Sequence, residues 1–287
     1  MDMGMAGTIG VVVPGLYNMF FSLVMDGIEA KASEKGYSLL LNCTQHDHKR
    51  EMACLTAFLS RNVSGVIIIS PNMKGSNVSF YQDFVSLVPM VFIDAYPQLP
   101  GASHVYNDQA AGAHKALSYL YALGHRHIMF VRGASSDSYE VKEQVFHEFM
   151  KKKGLSDAGS VIDIGDGNSV DTVDNTTRKL VKKLQDLGPT AIFCCNDMMG
   201  VGAIHACRHA GLRVPEDVSV VGYDNISLAR YIEPQLTSVD QNMYKLGTNA
   251  ADLLLKMLEG GPCTHVVLEN EIVERASTGP GPEAGTY

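Results

Sequence analysis

Short β-branched or aliphatic runs alternate with stretches of helical period along almost the whole chain, and that alternation leaves few folds open. Thr8–Val13 is a β-branched run closed by Pro14 and Gly15, and apolar residues then recur at Phe21, Val24, Ile28 and Ala32, one face of a helix over Phe20–Lys35. Gly36 stops that helix, and Ser38–Asn42 is the next strand. A helix follows over Lys49–Ser60, with Met52, Leu55 and Leu59 on one stripe, then a strand over Gly65–Ser70, a helix over Ser76–Val85 and a strand over Met90–Asp94. A polar connection, Ala95–Gly101, leads to a helix over Gln109–Leu123 with Asp108 as its cap. Strands separated by such helices need crossover connections, so they form a parallel sheet flanked by helices.

The same order restarts after Gly124. Ile128–Val131 reads as a strand, Ser135–Ser138 as a polar loop, and Glu140–Lys153 as a helix ended by Gly154. Ala191–Cys195 is an apolar strand before a helix over Met198–Ala210, and Val218–Tyr223 is a strand stopped by Asp224 and Asn225. A short strand from Leu236 through Ser238, a helix over Met243–Leu258 and two β-rich pieces, Val266–Leu268 and Glu271–Glu274, have no third core to build. The expected fold is therefore α/β, with two doubly wound parallel-sheet lobes joined by a three-stranded hinge. The N-terminal lobe is expected to take 7–125 plus 241–265 and the C-terminal lobe 126–240 plus 266–280, with 1–6 and 281–287 as tails. A length of 287 residues suits two cores, because single cores stop growing near roughly 250 residues.

Charge and composition exclude several functions. A net charge of −8 leaves no basic face for phosphates, so this chain should not hold nucleic acid unaided. No apolar run approaches the roughly 18 residues of a membrane span, and Met1–Gly7 has neither the basic nor the apolar region of a signal peptide. Six cysteines show no CxxC pair, which suggests reduced thiols and a cytoplasmic setting.

Ligands of open parallel sheets bind beyond the carboxyl ends of the strands. Those ends carry Tyr17, Asn18, Phe20 and Phe21, then Ser70 and Asp94, in the first half, and Ser135–Ser138 with Lys142, Asn196 with Asp197, and Asp224 with Asn225 in the second. The set is rich in amides, carboxylates and aromatic faces, which suits a polyhydroxylated or heterocyclic ligand. No nucleophile elbow, glycine-rich dinucleotide loop or cluster of metal spacing accompanies it, so the reading names no catalytic residue, metal or cofactor. His125 and His127 flank Arg126 on an extended segment and read as surface residues, as do His46 and His48 in a charged loop. Asp197 and Asp108 read as helix caps.

Taken in order, several segments resemble the effector-binding region of the lactose-repressor/galactose-repressor family of transcription regulators and, more distantly, the ribose-type periplasmic binding proteins. They are Ile9–Pro14 followed by Asn18, Phe20 and Phe21; Leu123–Ile128; Asn196, Asp197 and Met199; Gly211–Asp224; and Leu236–Val239 with Gln241. The likeness spans Thr8 to Pro280. It implies ligand contacts at Asn18, Phe20, Phe21 and Asp94 from the first lobe and at Ser138, Lys142, Asn196 and Asp224 from the second, with Gln241 at the hinge. Gly15, Met19 and Lys142 stand where the family usually carries Asp, Pro and Arg.

The resemblance implies an effector sensor that binds a small polar molecule, such as a sugar, between its lobes. It also implies a homodimer that reaches operator DNA only through a helix-turn-helix head preceding Thr8, and no membrane partner. The helices over Lys49–Ser60 and Ser76–Val85 are the candidate dimer surfaces. The alternative reading is a periplasmic sugar-binding protein of a transporter; an enzyme ranks third.

Overall fold

A computed structural model describes residues 7–73, 77–95, 98–134 and 136–282. In chain order its elements begin β1 (Gly7–Val13), α1 (Met19–Glu34), β2 (Tyr37–Cys43), α2 (His48–Ser60), β3 (Gly65–Ile69), α3 (Asn77–Val85), β4 (Met90–Ile93) and β5 (Ser103–Asn107). They continue with α4 (Gln109–Ala122), β6 (Ile128–Arg132), α5 (Asp137–Lys152), β7 (Val161–Asp163), α6 (Thr172–Leu187), β8 (Ala191–Cys194) and α7 (Asp197–His209). The last are β9 (Ser219–Asp224), a 3₁₀ turn (Ser227–Arg230), β10 (Thr237–Asp240), α8 (Met243–Leu258), β11 (His265–Leu268) and β12 (Glu271–Val273).

Two compact units result, one from residues up to Asn107 plus Asn242–Leu268, the other from Asp108–Gln241 plus the residues after Leu268. The chain thus passes between them three times. The first unit holds a sheet of order β11-β5-β4-β3-β1-β2, parallel at every pairing. The second holds β12-β10-β9-β8-β6-β7, in which only β12 runs antiparallel. Fully buried strands such as Gly65–Ile69 explain the continuous apolar runs in the sequence, since helices cover both faces of a parallel sheet.

In the first unit, Leu55 and Phe58 of α2 and Tyr81 and Phe84 of α3 pack with Val12, Ile68 and Phe92 of the sheet. Helices α1 and α8 pack together backbone to backbone. A Cβ on Gly247 would lie 2.0 Å from the Val24 carbonyl oxygen, and one on Gly27 would lie 2.2 Å from that of Tyr244.

The structure moves the expected lobe boundaries. Helix α4, expected in the first lobe, belongs to the second unit, because Ala113, Ala116, Leu117 and Leu120 join that unit's core. Strand β11, expected in the second lobe, pairs with β5 in the first sheet. Strand β5 escaped the sequence reading because Ser103 and His104 are buried polar residues that break its apolar run. Helix α6 escaped it too: its buried stripe is Thr172, Thr176, Leu180 and Leu184, with Thr176 Oγ1 donating back to the Thr172 carbonyl at 2.7 Å. Gly281, expected to open a tail, donates its backbone N–H to the Leu123 carbonyl at 2.6 Å. Ser76, Ser135, residues 1–6 and residues 283–287 lie outside the described residues.

His125 corrects the surface reading. It is buried, with Nδ1 at 3.1 Å from Thr190 Oγ1 and Nε2 at 3.1 Å from the Gly279 carbonyl, whereas His127 is exposed. His46 and His48 are half-buried, against Phe21 and against Phe80 and Tyr81 respectively.

Two consequences can be measured. Gly247→Ala forces the two helix backbones apart, and urea unfolding should show a loss of about 1–3 kcal/mol. His104 stacks on Phe92 at 5.3 Å and accepts from the Leu99 backbone N–H at 2.9 Å. Burial, helped by neighbouring His265, lowers its pKa to about 4. The folded state therefore binds fewer protons than the unfolded one between pH 4 and 6.5, so this contribution is present above 6.5 and lost as pH falls toward 4. Scanning calorimetry should show a shallower acid decline in His104→Gln than in the parent chain.

Candidate functional site

In the second sheet the strand order reverses next to one edge: β7 lies beside β6 on one side, and β8, β9 and β10 follow on the other. At such a switch point adjacent crossovers leave in opposite directions and open a space at the carboxyl ends. Four expected residues of this unit, Lys142, Asn196, Asp224 and Gln241, are buried there or beside it.

Lys142, on α5, is 2% exposed. Its Nζ donates to the Cys195 carbonyl at 3.1 Å and lies 3.6 Å from the centre of the Tyr223 ring, a cation held against an aromatic face. Burial pushes the Cys195 thiol up to about 12 against the pull of Lys142 and Arg132, while Asp224 raises it further. Burial thus favours the protonated thiol.

Asn196 caps α7, with Oδ1 accepting from the Met199 N–H at 2.8 Å. Its Nδ2 donates to the Tyr139 hydroxyl at 3.1 Å and to the Gly167 carbonyl at 2.8 Å. Both amide protons are thus committed inside the fold. Asp197, expected as the cap, is instead the first residue of α7. Its carboxylate accepts from the Ile226 N–H at 2.8 Å and the Ser238 hydroxyl at 2.5 Å.

Asp224 ends β9 with φ of 114°, and Asn225 follows at 60°, both in the left-handed region. Gln241 Nε2 donates to Asp224 Oδ1 at 2.5 Å, and Gln109 Nε2 donates to Gln241 Oε1 at 2.8 Å. This chain of amides orients the carboxylate from α4. Ser138 is half-buried in the first turn of α5, 3.0 Å from the Ser136 hydroxyl.

The remaining expected residues belong to the first unit. Asn18 caps α1, accepting from the Phe20 N–H at 3.0 Å. Phe20 and Phe21 are both buried, in edge-to-face contact at 5.3 Å. Asp94, at φ 50°, accepts from the Asn107 N–H at 3.2 Å.

Sequence reasoning missed Gln109, Tyr139, Tyr223, Ser238 and Arg275. Gln109 directly follows a recognised cap, and Tyr223 directly precedes Asp224, but each reads locally as a helix or strand residue. A groove of about 200 Å³ lined by Val201, Ile204, His205, Arg208, Ile232 and Glu233 runs along the later turns of α7, whereas Asn196 and Asp197 stand at its start.

Comparison with known proteins shows the family. The periplasmic binding protein-like domain family matches residues 117–278. The HTH-type transcriptional repressor PurR of Aliivibrio fischeri (strain MJ11) is 31% identical over 274 residues, covering 94% of this chain and 80% of the relative. The chain belongs to the LacI family of transcriptional regulators.

Solved LacI-family structures share its fold. A regulator from Enterococcus faecium with bound ribose superposes at a TM-score of 0.83 with 26% identity, covering 96% of this chain and 99% of the other. The Lac repressor dimer bound to operator and the anti-inducer ONPF also gives 0.83, at 25% identity with 95% and 94% covered. No helix of the described residues is long and apolar enough to cross a membrane, and the six cysteines are free thiols. The curated relatives are repressors, so the periplasmic transport reading is not favoured.

Because Asn196 ties α7, Tyr139 and the Gly167 backbone together, Asn196→Ala should cost about 1–3 kcal/mol in chemical denaturation, through a lost cap and two abandoned acceptors.

Proposed function

We propose that this LacI-family chain is the effector-sensing part of a transcription regulator, binding a small, polar, sugar-like molecule at the carboxyl ends of its strands. The observation that carries the reading is that two ionisable side chains of opposite sign, Lys142 and Asp224, are both nearly buried where β6, β8 and β9 end. Ionisable groups gathered in the interior at the carboxyl ends of parallel strands are candidates for ligand recognition. Asp224 would accept from ligand hydroxyls, Lys142 and Ser138 would donate to ligand oxygens, and Asn196 and Gln241 would hold the frame. The ribose of the Enterococcus faecium relative belongs to the same chemical class.

Lysine at 142 offers a point charge where guanidinium would offer a planar fork, so the reading favours ligands gripped at one oxygen over those needing two parallel bonds. Binding would shift the balance between conformations of a homodimer whose separate helix-turn-helix heads hold operator DNA, since the chain's charge of −8 opposes direct contact. A mass in solution equal to one chain would contradict the dimer.

The test is a thermal-shift panel of pentoses, hexoses, sugar phosphates, nucleosides and purines. A ligand at 100 times its Kd stabilises the folded state by about 2.7 kcal/mol, a readily visible shift. At least one of these compounds should raise the midpoint, and Asp224→Ala should weaken that response at least tenfold. A response left intact by Asp224→Ala would contradict the assignment of this site.

A further inference from the structure

Asp224 is presented by two consecutive residues with left-handed backbone, Asp224 at φ 114° and Asn225 at 60°. Asn tolerates an angle near 60°, but 114° lies outside the well that Asp and Asn visit readily, so the surroundings must hold Asp224 there. The surroundings here converge on one carboxylate. Asp197 Oδ2 accepts from the Ile226 N–H at 2.8 Å, and Oδ1 accepts from the Ser238 hydroxyl at 2.5 Å, while the same hydroxyl accepts from the Asn225 N–H at 3.0 Å. Arg275 closes the network from the other side, donating to Asn225 Oδ1 and to the Leu236 carbonyl, each at 2.6 Å. Strand β9 makes room for it: a Cβ on Gly222 would lie 2.2 Å from Asp197 Oδ1.

We propose that Asp197 is a positioning residue, whose buried carboxylate fixes the Asp224–Asn225 turn and thereby aims the Asp224 carboxylate at the ligand. The idea rests on the ligand-binding reading above for its last step only. A helix cap would need neither the Ser238 bridge nor the cavity left by Gly222, and the N-cap position of α7 is already filled by Asn196. Burial raises the Asp197 pKa to about 7, opposed by Ser238, the Ile226 N–H and Arg275. A carboxyl group held at such cost points to a geometric task beyond stabilising α7.

The decisive experiment compares the parent chain with Asp197→Ala, Asp197→Asn and Ser238→Ala by amide hydrogen exchange and by binding of D-ribose and adenosine as probes. Exchange at Asn225 and Ile226 should speed at least tenfold in Asp197→Ala and less in Asp197→Asn, which keeps one acceptor, while the β6 and β8 amides stay protected. Affinity for whichever probe the parent binds should fall in the same order, at least tenfold for Asp197→Ala. Unchanged exchange at Asn225 and Ile226 overturns the proposal, and so does faster exchange with unaltered affinity. If Asp197→Ala does not fold, Ser238→Ala, which removes only the bridging hydroxyl, carries the same readouts. A parent chain that binds neither probe counts against the ribose-like ligand class of the functional reading, while exchange still decides whether Asp197 holds the turn.

Discussion

A parallel strand cannot be followed by a tight turn, and most of what this protein does descends from that constraint. Most crossovers leave the sheet through a helix, so the carboxyl ends of the strands collect loops, helix N-termini and the polar residues that cap them. In each unit the sheet order reverses beside the strand that opens it, β1 in the first and β6 in the second. The ligand-facing chemistry assigned to the second unit gathers where β6, β8 and β9 end. Chemistry and topology are therefore one choice, made when the alternation of short apolar runs and helix-length segments was laid down.

Inside that frame, the polar groups near the strand ends fall into two kinds. Asn18, Asn196 and Asp108 each cap a helix, so their side chains serve backbone N–H groups first. Lys142 and Asp224 are charged groups drawn into the interior, oriented by the Cys195 carbonyl and the Tyr223 ring in one case and by the Gln109–Gln241 amide chain in the other. The first kind sets where the helices begin. The second carries the recognition proposed here, and its precision depends on the framework of the first.

Much of this was legible in the sequence. The β-branched runs at Thr8–Val13 and Val218–Tyr223 announced buried parallel strands, and the Gly211–Asp224 segment carried the family likeness. What was not legible has physical reasons. Helix α6 hides its apolar stripe behind Thr172 and Thr176, and β5 buries Ser103 and His104, so neither shows its period. The placement of α4 depends on which core receives Ala113 and Leu117, a tertiary matter that no local pattern records. Asp197 read as a cap because it stands at a helix start; only the return of β10 brings Ser238 to it.

The most direct measurement of the central claim is a nitrogen-15 NMR titration of the chain with its tightest-binding small molecule. Binding at the strand carboxyl ends predicts that amide shifts in the second unit concentrate at residues 133–142, 195–199 and 224–226. Shifts confined instead to the groove around Val201, Ile204 and Ile232 would contradict it, and would place recognition on the far turns of α7.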